Sequence, residues 1–275
     1  MKTNSRGQIL CHVILILMLL CTFYPILFAV SNSFKTMQDA FNSILSLIPP
    51  HPTLENYRYV FQKLPFGRIT ANSFLIAVSV TFAKLFTSLL AAYAFVYFRF
   101  RGKNTIYLFM LTTMFIPFTV TMIPNYLLIS KIGLRDNIWG VAFPQLADVL
   151  GIFLLRQAMR GIPASLIEAA KLDNIRDFKI MTDIVLPLVK PAIISTGIIF
   201  YINSWNEYVW PVLILKSTEN YTLPLALQMF VSSEGGTDFT TAMAVSILTI
   251  LIPLVLYLIF QRQIISTFAT SGVKG

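Results

Sequence analysis

Glu168–Ala192 reads EAAKLDNIRDFKIMTDIVLPLVKPA, a polar interruption between two long apolar runs. Just ahead of it, Ser165-x-x-Glu168 has the form of a capping box, in which hydroxyl and carboxylate each take up a free backbone N–H. A short helix is therefore expected to begin near Ser165, with Leu166, Ala169 and Ala170 on one face. Asp173–Asn174 predicts a turn. Beyond it, Ile175, Phe178, Met181 and Val185 fall near one face of a second amphipathic stretch, which Pro187 is expected to stop. Helix, turn and helix between apolar runs describe a polar handle on a membrane protein.

The flanking composition fixes the class. Of 275 residues, 56% are hydrophobic and only 12% charged, well outside the range of soluble domains. A hydrocarbon core of about 30 Å needs ~20 residues of helix. Six runs qualify, approximately Ile9–Ser31, Ala71–Phe98, Thr105–Ser130, Ile138–Leu155, Pro191–Leu215 and Thr240–Phe260. The expected fold is an all-α polytopic membrane protein with six transmembrane helices. Residues 1–275 read as one membrane domain, because the linkers other than 34–70 are too short for a second one. The first run follows Lys2 and Arg6 as a signal peptide would, and Ala29-Val30-Ser31 resembles a cleavage site. Its apolar stretch exceeds the ~7–15 residues of a signal core, which favours an uncleaved span.

Lysine and arginine orient the spans. With the N-terminus inside, 13 fall on inner segments, 7 on outer ones, and Lys84 lies within a span. Both termini and the loop 156–190 are then expected in the cytoplasm. The net charge of +9 is mostly a topology signal, and no basic, aromatic-interleaved face asks for nucleic acid. Cys11 and Cys21 share one predicted helix about 15 Å apart, too far to pair. With histidines only at 12 and 51, no metal site is expected. No G-x-x-x-x-G-K-[ST] phosphate loop occurs, so any ATP that drives transport, with its Mg²⁺, binds another polypeptide.

The Glu168 segment resembles the EAA loop of ABC-transporter permeases, roughly E-A-A-x-x-x-G, a spacer, then I-x-L-P. Asn174 stands where that pattern has glycine, and asparagine is the next residue to tolerate φ > 0. Pro52–Tyr57 (PTLENY), Ala91–Phe95 (AAYAF), Trp205–Pro211 (WNEYVWP) and Gly272-Val273-Lys274-Gly275 are similar to segments of maltose-type sugar permeases, so the likeness spans nearly the whole chain. The resemblance implies a type I importer permease in the cell (cytoplasmic) membrane, without catalytic residues. Its partners would be a homologous second permease, two ATPase subunits and an extracytoplasmic solute-binding protein. It further implies that Glu168, Ala169, Ala170, Leu172, Asp173 and Asn174 dock onto the ATPase, and that Gly272–Gly275 reach the ATPase pair. The loop 216–239 would meet the binding protein, or pack its apolar centre on the chain's own outer face.

Polar residues within spans are costly, at about 2.5–3.5 kcal/mol for a charge at mid-membrane, and so face protein or water. Lys84 shares a helical stripe with Ser73, Ala77, Thr81, Thr87, Ser88 and Ala91. It either lines the translocation path or is the buried partner of Asp148 or Glu207. Asn203, Asn206 and Glu207 share a face at i, i+3, i+4 beside Tyr201, Trp205, Tyr208 and Trp210, chemistry suited either to sugar hydroxyls or to helix–helix contact. Two other classes compete. An ion-gradient carrier would need internal repeats or a relay of membrane acids, and Asp148 and Glu207 are the span acids. A membrane-embedded enzyme would need a nucleophile or base cluster, which is lacking. The solute is open among sugars, oligosaccharides and glycerol or polyol phosphates.

Overall fold

A computed structural model describes the backbone of residues 5–231 and 238–272 and the side chains of residues 7–231 and 238–261. Among the described residues the chain is helical, with no strand. In order come α1 (Ser5–Ser33), α2 (Met37–Asn42), α3 (Glu55–Lys63), α4 (Phe66–Tyr97), α5 (Lys103–Thr113), α6 (Phe118–Lys131), α7 (Ile138–Ala142) and α8 (Val149–Arg160). Then follow α9 (Ala164–Leu172), α10 (Asp177–Ile180), α11 (Leu186–Asn206), α12 (Val209–Ile214), α13 (Leu223–Val231) and α14 (Phe239–Gly272).

Gly7–Ser33, Phe66–Tyr97, Asp177–Asn206 and Phe239–Gln261 are each long and apolar enough to cross a bilayer. The predicted third and fourth spans are broken instead. α5 and α6 meet at 94°, and Ile138–Gln145 meets α8 at 47°. Proline explains where the breaks fall. Pro117 is the extended N-cap of α6 and disfavours helix at the residue before it, while Pro144 opens a short 3₁₀ turn after α7. Pro124 and Pro253 are carried inside helices. The predicted fifth span shifts as well: the helix begins at Asp177 and ends at Asn206, before a short break ahead of α12.

The chain's contacts gather in two compact units. In the one made of 1–67 and 223–252, α1 presents an apolar surface almost wholly uncovered by the rest of the chain. Just beyond α1, Lys35 is fully buried, and its ammonium donates to the carbonyls of Ser43 (2.9 Å) and Ser46 (2.7 Å). Burial pushes its pKa below the ordinary lysine value, against the opposing pull of Asp39. Asn56, from PTLENY, donates to the carbonyls of Ser33 and Lys35, both at 2.8 Å, and accepts from the Thr240 hydroxyl at 3.0 Å. Tyr57 shares a hydrogen bond with the Ser33 hydroxyl. That motif therefore ties down the turn that ends α1.

In the unit made of 68–222 and 253–275, α8 lies against α4 and α11 with no room for a side chain at Gly151. A Cβ there would stand 2.5 Å from both the Phe200 ring and the Ser88 hydroxyl. Gly197 is nearly as close to Leu85. Small residues at crossings let membrane helices approach closely, where dispersion replaces the missing hydrophobic drive.

Candidate coupling surface and polar sites of the membrane helices

The Glu168 handle forms, but by a different start. Pro163, not Ser165, is the N-cap of α9, and no side chain caps it. Proline's fixed φ (−56° here) sets the entry to the helix one residue before Ser165, so the capping box does not assemble. At the other end, the backbone closes as the motif demands. Asn174 N–H donates to the Lys171 carbonyl, Ile175 N–H to that of Ala170, and Asn174 has φ +56°. This is a Schellman closure with asparagine in the left-handed position usually given to glycine.

Pro187 does not stop the second stretch. A π turn over Met181–Val185, in which Leu186 N–H reaches the Met181 carbonyl, precedes it, and the chain runs on as one helix to Asn206. The wider turn shifts the register ahead of the ring and its missing N–H.

Burial also corrects the predicted faces. Ile167, Ala170, Ile180 and Val185 pack with Ala92, Tyr93, Leu155 and Met159 in one core cluster. Ala170, expected at the docking surface, is only 5% exposed because α9 turns it toward α4 and α8. Leu166, Ala169, Leu172 and Phe178 look outward, with Leu172 83% and Phe178 73% exposed. Phe178 therefore leaves the face predicted for it. Glu168, Asp173 and Asn174 are exposed beside them. The AAYAF segment is the seat of the handle. Tyr93 donates to the Asp177 carbonyl at 3.0 Å, and Tyr97, two residues past AAYAF, to that of Met159 at 3.1 Å.

Lys84 finds Asp148, with Nζ 3.0 Å from Oδ2 and side chains 13% and 26% exposed. The ammonium also stands 5.2 Å from the centre of the Phe200 ring. Asp148 sits at a helix break, not at mid-helix, and its other oxygen caps α8 through Leu150 N–H at 2.9 Å. The same stripe of α4 serves the rest of the break: Thr87 donates to the Leu146 carbonyl and Ser88 to that of Asp148. One helix thus supplies partners for backbone that a bilayer would leave unsatisfied.

Glu207 does not share a face with Asn203 and Asn206. It lies past the end of α11 in extended conformation, and one carboxylate oxygen accepts from Val209 N–H (2.9 Å) and Trp210 N–H (3.2 Å), capping α12. Asn203 and Asn206 stay on the exposed side of α11, while Trp205 and Trp210 are 1% exposed. Both span acids are therefore spent on helix caps.

Besides Lys35, sequence reasoning passed over Asp136. It adopts φ +53° between α6 and α7, accepts from Lys216 N–H and Ser217 N–H and from the Ser217 hydroxyl, and its carbonyl takes the Asn220 amide. Burial alone would raise its pKa, but these hydrogen bonds outweigh that and hold it well below the usual carboxylate range. The tolerance of aspartate for left-handed backbone in Arg135-Asp136-Asn137 was the available signal. Val273–Gly275 and residues 232–237 lie outside the described residues, as does the side-chain environment of α14 near Gly272. The apolar centre of the 216–239 loop is α13, where Leu223, Leu225 and Phe230 are buried within the chain and Met229 and Val231 stay exposed.

Broken apolar helices with a structured polar handle fit a membrane transport permease. Residues 84–267 match the family of binding-protein-dependent transport system inner membrane components. The chain belongs to that family. It is 32% identical over 270 residues to the sn-glycerol-3-phosphate transport system permease protein UgpE of Yersinia pestis, covering 95% of this chain and 96% of that one. It is 30% identical over 255 residues to the arabinooligosaccharides transport system permease protein AraQ of Halalkalibacterium halodurans, covering 92% and 91%. Its fold is similar to that of a chain in a bacterial ABC transporter involved in the import of the acidic polysaccharide alginate. There the TM-score is 0.84 at 24% identity, covering 95% of this chain and 98% of that chain.

Proposed function

We propose that this chain is one of two permease subunits through which an ATP-driven importer moves a carbohydrate-type solute, glycerol phosphates and polyol phosphates included. Counting each bent helix pair as one passage gives six spans, with both termini and the 156–190 loop in the cytoplasm. The carrying observation is the handle itself: a Schellman-closed turn that holds Leu166, Ala169, Leu172 and Phe178 outward while Ile167, Ala170 and Ile180 root it in the helix core. An exposed apolar tip on a rigid base suits a groove on a separate ATPase, which binds ATP and Mg²⁺.

Movement of that groove pulls α9 and α10 as a lever, and α10 continues into a membrane helix without a flexible joint. Nothing covalent is asked of the solute. The second permease, two ATPases and the solute-binding protein complete the assembly, with the 216–239 loop toward the binding protein and Gly272–Gly275 toward the ATPases. Asn203 and Asn206 are the exposed polar groups of α11 offered to solute or to the second permease. Lys84 and Asp148 line the same half of the conduit as a paired unit.

Proteoliposomes holding the two permeases and the ATPase test this reading. Uptake of labelled solute should need ATP inside and binding protein outside. Uptake driven by a proton or sodium gradient without ATP would refute it.

A further inference from the structure

The inner end of α4, the start of α5, the end of α8 and the coupling helix α9 enclose a cleft of about 680 Å³. Five cations line it, Arg99, Lys103, Arg156, Arg160 and Lys171, against one carboxylate, Glu168. Among the described residues of the cleft Lys171 alone has a carboxylate within 4.0 Å, that of Asp177, with both side chains about half exposed. Such a concentration of positive charge costs free energy unless a mobile anion fills it.

The cations are also held in place. Lys103 donates to the carbonyls of Val96 (3.1 Å) and Phe98 (2.9 Å), which fixes its ammonium at the C-terminus of α4. The Arg156 guanidinium lies over the Tyr107 ring, 3.9 Å from its centre, and its buried Nε has no hydrogen-bond partner among the described residues. A guanidinium held over a ring with an N–H left unspent suits an oxyanion.

What surrounds the cleft selects the source of that oxyanion. Phe98 and Phe100, 42% and 41% exposed, line an adjoining hollow that shares Arg99, Lys103 and Asn104 with the cleft, as aromatics do at the level of lipid headgroups. On α5, whose first turn supplies Lys103 and Asn104 to the cleft, Ile106 and Phe109 form an exposed apolar track at i, i+3. A protein carboxylate would use the charges and leave the track bare. A phosphate carrying acyl chains uses both.

We propose that this cleft is a binding site for the phosphate of an anionic phospholipid, whose chains lie along α5 and whose headgroup abuts the coupling helix. Basic pockets among membrane helices at an inner surface are the general setting for such headgroups. The site places a lipid phosphate beside Glu168 and Lys171 at the root of the handle, so lipid charge bears on how the handle is held.

The test is native mass spectrometry of the detergent-purified permease–ATPase assembly titrated with dioleoyl phosphatidylglycerol or dioleoyl phosphatidylcholine. Wild type should retain phosphatidylglycerol preferentially and saturably. The double substitution Arg99→Gln, Arg160→Gln, at two exposed cleft residues, should weaken that retention about 30-fold, two surface charges' worth, with an unchanged melting temperature in phosphatidylcholine. If that variant melts early, Lys171→Gln alone, at an exposed position, should still lower retention severalfold.

Equal retention of the two lipids, or an unchanged preference in a folded variant, overturns the proposal. So does displacement of the lipid by millimolar inorganic phosphate with equal thermal protection, which would assign the site to a free anion. Loss of the ATPase subunit from the variant with lipid retention intact overturns it too, by assigning the cleft to the protein partner.

Discussion

Removing one partner of the Lys84–Asp148 pair should cost more than removing both. Asp148→Asn keeps the N-cap of α8, since asparagine caps as well as aspartate, but strands the Lys84 ammonium between α4 and the Phe200 ring. Lys84→Met keeps the apolar stem and strands the carboxylate. Breaking a fully buried pair costs about 3–5 kcal/mol. Here the side chains keep 13% and 26% exposure, so water screens part of the loss. Each single change is then expected to cost about 2–3 kcal/mol. The double substitution removes both charges and leaves the Thr87 and Ser88 bonds to the break, so it should lie within about 1 kcal/mol of wild type. Equilibrium unfolding of the purified permease in mixed detergent micelles measures the cycle. A coupling below about 0.5 kcal/mol, with the two single effects simply adding, would mean the pair does not hold the break.

Three further outcomes follow from single sites. Asn174→Gly should leave the melting temperature unchanged or slightly raised, whereas Asn174→Val should lower stability by about 1–2 kcal/mol, because only the first accepts φ +56°. Gly151→Ala forces a methyl to 2.5 Å from Phe200 and Ser88 and should cost about 1–3 kcal/mol in the same unfolding assay, with Gly151→Leu failing to assemble. At Asp136 the folded carboxyl titrates below its unfolded value, so the clamp on Lys216 and Ser217 is present above pH 3.8 and is lost as pH falls through the lower folded value. Exchange protection of those two amides, corrected for intrinsic rates, should hold steady from pH 7 to near pH 4 and decline progressively as pH falls further, while Asp136→Asn should show no such decline.

Most of the architecture was legible because membrane helices announce themselves by length and hydropathy, and the coupling turn by one residue. Asn174 stands where the EAA pattern has glycine, which marks it as a left-handed position, and its backbone has that conformation. Boundaries were harder, for local reasons. Ser165 and Glu168 satisfied the capping pattern, yet Pro163 had already fixed the helix entry. Pro187 satisfied the stop rule, yet a π turn absorbed it. Periodicity grouped Ala170 with Leu166 and Ala169, and Phe178 with Met181 and Val185, whereas Ile167 and Ala170 form the inward face of α9 and Ile180 the inward residue of α10.

Span acids carried the least readable signal. Asp148 and Glu207 looked like mid-membrane charges because nothing in hydropathy marks a break of two or three residues. Each turned out to cap the helix beyond the break. Lys35 is one of the seven charges on outer segments, and its burial against the carbonyls of Ser43 and Ser46 depends on how residues 34–46 fold back.

Everything proposed for this permease depends on the α9–α10 tip being held by an ATPase. Cysteines at Ala169 and Leu172, placed one at a time in the assembled, transporting complex and joined by a short bifunctional reagent, measure that contact directly. Capture of the ATPase subunit from both positions, sensitive to ATP and absent from a cysteine at Arg135, is the predicted result. Full transport with neither position ever reaching the ATPase would contradict it.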